Sequence, residues 1–173
     1  MIYEIENFLD ETVCDELVKY FNNTKVRNTH LNDYFKDKTL CPYLVEDNLL
    51  LSQILIFQIK SIQTASKLFY KDNLDVNLYL EYWNIVQMLP GKDMEVHEDQ
   101  DQRDYSSVLY LNDDFIGGNT YFPKNDFICN PKKGKIIFFS SRIYHGVTKV
   151  ISGERYTLPC WYSTNQNNIY LPQ

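Results

Sequence analysis

Met94-Glu95-Val96-His97-Glu98-Asp99 is the stretch from which this chain is best read, and within it His97-Glu98-Asp99. Met94 to His97 is short and extended in character. In an extended chain residues i and i+2 point to the same side. The His97 imidazole and the Asp99 carboxylate can therefore reach one point from the end of a single strand, with Glu98 turned outward. A second imidazole, His145, comes much later in the chain, and Arg155 follows it. For His145 to join the first pair it must lie on a distant strand that is adjacent in space. A closed, double-layered sheet supplies such a neighbour.

The flanking sequence agrees with that architecture. From Asn77 to Leu89, Leu78, Leu80, Tyr82, Val86 and Met88 alternate with other residues as in a strand. Pro90-Gly91 makes a turn, and Ser106–Leu111, Thr120–Phe122, Phe127–Cys129, Lys135–Ser140, Ile143–Val147 and Arg155–Tyr162 follow. Asn112-Asp113-Asp114 and Gly117-Gly118 punctuate them. About eight short strands at close spacing predict a sandwich or barrel.

Upstream, Ile2 to Phe8 reads as a short strand. Asp10 or Thr12 can cap a helix with Val13, Leu17, Tyr20 and Phe21 on its apolar stripe. Residues 25–45 are polar and aperiodic, a loop in which His30 reads as a solvated side chain. From Asp47 to Tyr70 the period is helical, with Leu51, Leu55, Ile59, Ile62 and Phe69 on one face. The expected fold is α+β and mainly β. It is a single domain over residues 1–173, with 1–72 as mainly helical support and 73–163 as the β core. From Thr164 on, the chain reads as a loose tail.

Composition narrows the function classes. A length of 173 residues allows one domain with a sizeable core. The net charge of −6 argues against a nucleic-acid binder, which needs a basic face. Cys14, Cys41, Cys129 and Cys160 form no CxxC pair, so a zinc knuckle is unsupported and buried thiols are expected. MIYEIENFLDE lacks a basic n-region and an apolar h-region, and no apolar run approaches membrane-spanning length. The expectation is a soluble, cytoplasmic protein with neither nucleic acid nor membrane as a partner, and the sequence leaves its oligomeric state open.

Two His and one Asp are the donor set of non-heme Fe(II) oxygenases, which leaves positions on one side of the metal open. Such a triplet also arises by chance, and alone it leaves both readings standing. If Arg155 opens the last strand, then Arg155, Thr157 and Trp161 share one face and Tyr156, Leu158 and Cys160 the other. An unpaired guanidinium inside a barrel is costly, which points to an anionic ligand held by a bidentate contact. The alternative is an Arg at the rim, paired with Glu154. Tyr110 shares a strand face with Ser106 and Val108 and could offer its phenol to the same anion. In a chain with 14 Tyr it can equally be a core residue.

The ordered set is more specific than any part of it. It runs Met88-Leu89-Pro90-Gly91, His97-x-Asp99, Arg103, Leu109-Tyr110-Leu111-Asn112, Gly117-Gly118-x-Thr120-x-Phe122 and Pro131-x-x-Gly134-x-x-x-x-Phe139. It continues with His145-Gly146-Val147 and Gly153-Glu154-Arg155-Tyr156, and ends in Trp161. This closely resembles the 2-oxoglutarate/Fe(II) dioxygenases of the prolyl 4-hydroxylase type. Ile5-Glu6-Asn7-Phe8-Leu9 and Cys14-Asp15-Glu16-Leu17 are similar to that family's start.

The resemblance implies a double-stranded β-helix (jelly roll) buttressed by N-terminal helices. It implies Fe(II) on His97, Asp99 and His145 as the catalytic centre. The distal carboxylate of the cosubstrate 2-oxoglutarate would be held by Arg155 with Tyr110 and Thr157. Arg103 and Trp161 would face the substrate, O2 would be the oxidant, and ascorbate would support activity. The retained Asp99 favours hydroxylation, since related halogenases lack that carboxylate. The implied reaction is hydroxylation of an unactivated C–H, foremost on a prolyl residue of a peptide or protein. A free amino acid or other small molecule is the alternative substrate, and a non-catalytic jelly-roll binding module the alternative role. The chain departs from many relatives in carrying Met88 or Leu89 where they carry Tyr, and from collagen-type relatives in carrying Arg155 where they have Lys.

Overall fold

The computed structural model describes residues 1–23, 39–40, 48–71 and 76–169. Most of the expected 25–45 loop, with His30 and Cys41, lies outside those residues. In chain order the elements are β1 (Ile2–Ile5), α1 (Glu11–Asn23), β2 (Thr39–Leu40), α2 (Asn48–Tyr70), β3 (Tyr79–Trp83), β4 (Ile85–Met88) and β5 (Met94–His97). They continue with β6 (Tyr105–Tyr110), β7 (Ile116–Gly117), β8 (Thr120–Phe122), β9 (Phe127–Cys129), β10 (Ile136–Ser140), β11 (His145–Val147), β12 (Val150–Ser152) and β13 (Arg155–Ser163).

The larger sheet runs β1-β10-β6-β13-β4-β2, with β3 also on β13, and the smaller runs β5-β11-β8-β9. β7 and β12 form a separate two-stranded ribbon. The fold is the expected jelly roll, and β1 joins its larger sheet beside β10.

The larger sheet lies between two cores. Along β13, Tyr156, Leu158, Cys160 and Tyr162 pack into an outer cluster with Leu17 and Phe21 of α1 and Ile54 and Phe57 of α2. The alternate residues Arg155, Thr157, Pro159 and Trp161 line a cavity between the sheets. β10 divides in the same way, Ile136 and Phe138 outward, Ile137 and Phe139 inward. Each large apolar side chain buried in this manner contributes about 1.5–3 kcal/mol.

The helices follow the capping and stripe rules with one correction. Asp10 Oδ1 accepts from the Thr12 backbone N–H at 2.8 Å and caps α1, which buries Cys14, Leu17 and Phe21. In α2 the expected face is rotated. Leu55 and Ile59 are exposed, and the buried stripe is Leu50, Ile54, Phe57, Ser61 and Ala65. The helix is apolar nearly all round in its first half, with Leu49-Leu50-Leu51 and Ile54-Leu55-Ile56-Phe57. A helical period alone therefore fits more than one face.

The expected single strand 77–89 is split at Asn84 into β3 and β4. The cause lies across the sheet. Asn84 N–H donates to the Pro159 carbonyl at 3.3 Å, so Pro159 faces this edge of β13, where it has no N–H to return. β13 therefore pairs with β4 through residues 155–157 and with β3 through residues 160–163. The expected loose tail is held as far as Ile169. Asp104 accepts from Thr164 N and Oγ1, and Asn165 caps a short 3-10 turn, Gln166–Asn168. Cys14, Cys129 and Cys160 are buried free thiols. No described helix is long and apolar enough to cross a membrane.

Candidate active site

His97 ends β5, His145 begins β11, and the strand register sets them directly opposite one another. Asp99 follows just beyond β5, its backbone N–H fixed by the Ser141 carbonyl at 3.0 Å. His97 Nε2 lies 4.0 Å from Asp99 Oδ1, and His145 Nε2 lies 3.9 Å from Asp99 Oδ2. One ligand atom from each residue falls within 4.8 Å of the others.

The imidazoles are oriented from behind. His97 Nδ1 bonds the Glu95 carbonyl and His145 Nδ1 bonds the Ile143 carbonyl, both at 2.9 Å. A carbonyl only accepts, so each Nδ1 carries the hydrogen and each Nε2 lone pair faces the shared point. Burial also lowers the pKa of His145, which favours the neutral, ligating imidazole. Ser106 Oγ donates to Asp99 Oδ2 and bonds Ser141 Oγ at 2.8 Å. Because the Ser106 hydrogen goes to the carboxylate, Ser141 is the donor to Ser106. Neutral imidazole and carboxylate with no thiolate fit Fe(II).

Arg155 opens β13 on the face of Thr157 and Trp161, as its parity predicts. It is 3% exposed. Its Nε donates to the Gly118 carbonyl at 2.9 Å, Nη1 to Thr157 Oγ1 at 3.1 Å and to Met88 Sδ at 3.4 Å, and Nη2 to Thr120 Oγ1 at 3.3 Å. Every one of these partners is neutral, and among the described residues no carboxylate pairs with it. Glu154, the rim alternative, bonds Gln87 and Tyr156 on the other face. Burial lowers the Arg155 pKa, yet a guanidinium stays charged at neutral pH. A buried cation with neutral neighbours, in the cavity that the triad also lines, fits a carboxylate ligand.

Tyr110 lies under this guanidinium, its ring centroid 5.4 Å from Arg155 Cζ. Its phenol donates to Thr120 Oγ1 at 2.7 Å, and burial raises its pKa, so it remains neutral. Arg103 lies over the ring of the cavity-lining Trp161 at 4.3 Å and its Nε donates to Glu81 Oε1 at 3.1 Å. Tyr82 stacks beneath Trp161 with ring centroids 5.8 Å apart. Ser106, Thr120 and Gly118 escaped sequence reasoning as site residues. The available signal was polarity at inward positions of otherwise apolar strands, Ser106 in Tyr-Ser-Ser-Val-Leu-Tyr and Thr120 in Thr-Tyr-Phe.

Comparison with known proteins agrees with this geometry. The family model described as "2OG-Fe(II) oxygenase superfamily" matches residues 83–163. Over 68 residues the chain is 40% identical to human prolyl 3-hydroxylase 3. That stretch covers 35% of this chain and only 9% of the relative, so it spans about a tenth of the curated protein's length. The fold is similar to that of the viral collagen prolyl hydroxylase of Paramecium bursaria Chlorella virus-1, solved as its 2OG complex. There the TM-score is 0.71 at 19% identity, with 93% of this chain and 94% of that one covered. A Pseudomonas putida prolyl-4-hydroxylase gives a TM-score of 0.72 at 17% identity, with coverages of 94% and 91%. A Trichoplax adhaerens prolyl hydroxylase, solved with a hypoxia inducible factor peptide fragment, also gives 0.72 at 17% identity, with 99% and 87% covered. The His-Asp-His donors and the buried Arg155 all lie within residues 83–163, the stretch that is similar to the 2OG-Fe(II) oxygenase superfamily.

Proposed function

We propose that this chain is an Fe(II)- and 2-oxoglutarate-dependent dioxygenase that hydroxylates a prolyl residue in a peptide or protein. The observation that carries the reading is the pairing in one cavity of an oriented His97/Asp99/His145 donor set with a buried Arg155 that has no described carboxylate partner. His97, Asp99 and His145 would hold the iron, and Arg155 with Thr120 and Thr157 would hold the far carboxylate of 2-oxoglutarate. Bound iron and cosubstrate supply O2 activation coupled to decarboxylation.

The protein's own residues supply position. Glu95 and Ile143 carbonyls fix the imidazoles. Ser106 and Ser141 fix the Asp99 carboxylate, which completes the ligand set and favours hydroxyl transfer. The apolar walls, Val86, Val147 and Phe139 among them, exclude water from the reacting centre. Trp161 lines the cavity beneath the Arg103–Glu81 ion pair, and Trp161 and Arg103 would face the peptide substrate. The prolyl hydroxylases among the similar proteins support the peptide substrate over a free amino acid.

The test is turnover. Protein with Fe(II), 2-oxoglutarate, O2 and ascorbate is expected to form succinate in the presence of proline-containing peptides and to add about 16 Da, one oxygen atom, to the peptide. His145→Ala abolishes both. Fragmentation of the product separates 3- from 4-hydroxyproline. Absence of Fe(II) binding and of succinate with every such peptide would overturn the proposal.

A further inference from the structure

Met94 carries the one sulfur among the described residues that line the cavity. It opens β5, the strand that ends in His97, and its half-buried side chain packs against Val86, Met88, Val147 and Val150. Met94 and His97 both line the cavity although they stand three residues apart. A regular strand would turn them to opposite faces. The register supplies the reason. His97 pairs with His145 and Met94 with Val147, so two steps along β11 meet three along β5. The extra residue is a β-bulge, a device that re-aims side chains beside a site. It brings the Met94 thioether to the side of the metal donors, in the next cross-strand row from them.

Packing does not call for sulfur at this position. Leu fills nearly the volume of Met, and such swaps cost less than about 1.5 kcal/mol. What Met94 adds is a polarisable sulfur that accepts an oxygen atom with no bond to hydrogen being broken. The other two methionines of the chain stand differently. Met1 is 77% exposed. Met88 is buried, with its sulfur against Arg155 Nη1 at 3.4 Å.

We propose that Met94 is a self-oxidation site: when 2-oxoglutarate and O2 are supplied and no substrate fills the cavity, its thioether takes the oxygen atom otherwise spent on a substrate C–H and becomes methionine sulfoxide. This rests on the dioxygenase reading above. The reaction balances. 2-Oxoglutarate loses CO2, is oxidised by two electrons and keeps one atom of O2 in succinate. The sulfur is oxidised by two more and keeps the other atom as S=O, and no proton is released. The product sets a polar group beside Val86 and Val147 and so makes an apolar wall of the cavity polar.

Mass spectrometry of proteolytic fragments reads the site directly. Wild-type protein is incubated with Fe(II), 2-oxoglutarate, O2 and catalase, without peptide substrate. The fragment with Met94 is expected to gain about 16 Da, one oxygen atom, while those with Met1 and Met88 do not. Mn(II) in place of iron, or His145→Ala, abolishes the gain. A saturating proline-containing peptide that is itself hydroxylated suppresses it, because the two compete for one oxygen atom. Unmodified Met94 in protein that forms succinate overturns the self-oxidation site and leaves the proposed function intact. So does oxidation of Met1 to the extent of Met94, which marks a diffusible oxidant, and so does a gain that persists with Mn(II) or is undiminished by the peptide. Wild-type protein that neither binds Fe(II) nor forms succinate with any such peptide overturns both.

Discussion

Replacing Arg155 by Met distinguishes an anion site from a structural cation, because the two roles predict opposite patterns. Deleting one partner of a buried ion pair costs about 3–5 kcal/mol. Arg155 has only neutral partners among the described residues, the Gly118 carbonyl, Thr120, Thr157 and Met88. Its removal relieves the desolvation of an unpaired charge, an effective cost of several kcal/mol. It also leaves the Gly118 carbonyl short of a donor, which costs about 1–3 kcal/mol. These effects largely offset one another. Unliganded Arg155→Met is therefore expected within about 2 kcal/mol of wild type, or about 6 °C in Tm for a chain of this size. The response to ligand is where the variant fails. Mn(II)-loaded wild type gains about 2.7 kcal/mol from 2-oxoglutarate at one hundred times its Kd. That is a rise of about 8 °C. Arg155→Met keeps the stabilisation by Mn(II) alone and gains nothing further from 2-oxoglutarate. Thermal unfolding followed by circular dichroism, with and without ligand, reads both quantities. A variant that loses about 3–5 kcal/mol before any ligand is added would show a structural ion pair instead. One that keeps the wild-type shift would show that the carboxylate binds elsewhere.

Two further perturbations probe the supports of the site. Ser106→Ala removes the hydroxyl that holds Asp99 Oδ2, and metal affinity is expected to fall about 10–100-fold, read by Mn(II) or Co(II) titration. Unchanged affinity would mean that the Ser141 carbonyl alone orients Asp99. Gly118 has φ +63°, and a Cβ there would meet Arg155 Cδ at 2.9 Å and Phe115 Cε2 at 3.0 Å. Gly118→Ala is therefore expected to push Arg155 off its seat and weaken 2-oxoglutarate binding by about tenfold or more while metal binding holds, since misplacing a bidentate guanidinium costs at least one charged hydrogen bond. Equal loss of both affinities would indicate general unfolding.

The site was more legible in the sequence than the fold around it, and the reason is geometric. His97-x-Asp99 needs only local strand parity, and the face of β13 follows once Arg155 is placed first in that strand. The buried face of α2 does not follow from local rules. With apolar residues on more than one side, the choice falls to the sheet that receives it, which buries Ile54 and Phe57 and leaves Leu55 and Ile59 outside. The break at Asn84 is likewise set by Pro159, a residue distant in sequence that meets it across the sheet. β12, Val150–Ser152, has no clear signature in the sequence because it is short and its strand partner is the two-residue β7. Thr120 shows only its polarity in the sequence, because its contacts depend on Tyr110 and Arg155 arriving at one oxygen from two other strands.

The same reasoning explains where the chemistry of this fold can be sought. A strand buried on both faces loses the apolar–polar alternation that marks its orientation, as Ile136-Ile137-Phe138-Phe139 shows. In such strands a polar residue is costly on either face unless something meets it. The outward ones meet fold partners: Ser107 bonds Tyr162 beneath the helices. The inward ones, Ser106, Thr120, Thr157 and Arg155, meet one another and the triad, and among the described residues they leave the Arg155 charge without a counter-ion. A fold that needed only stability would have filled those positions with aliphatic side chains. The unbalanced charge on the inner face is therefore the physical ground for placing an anion there, independent of any resemblance to other proteins.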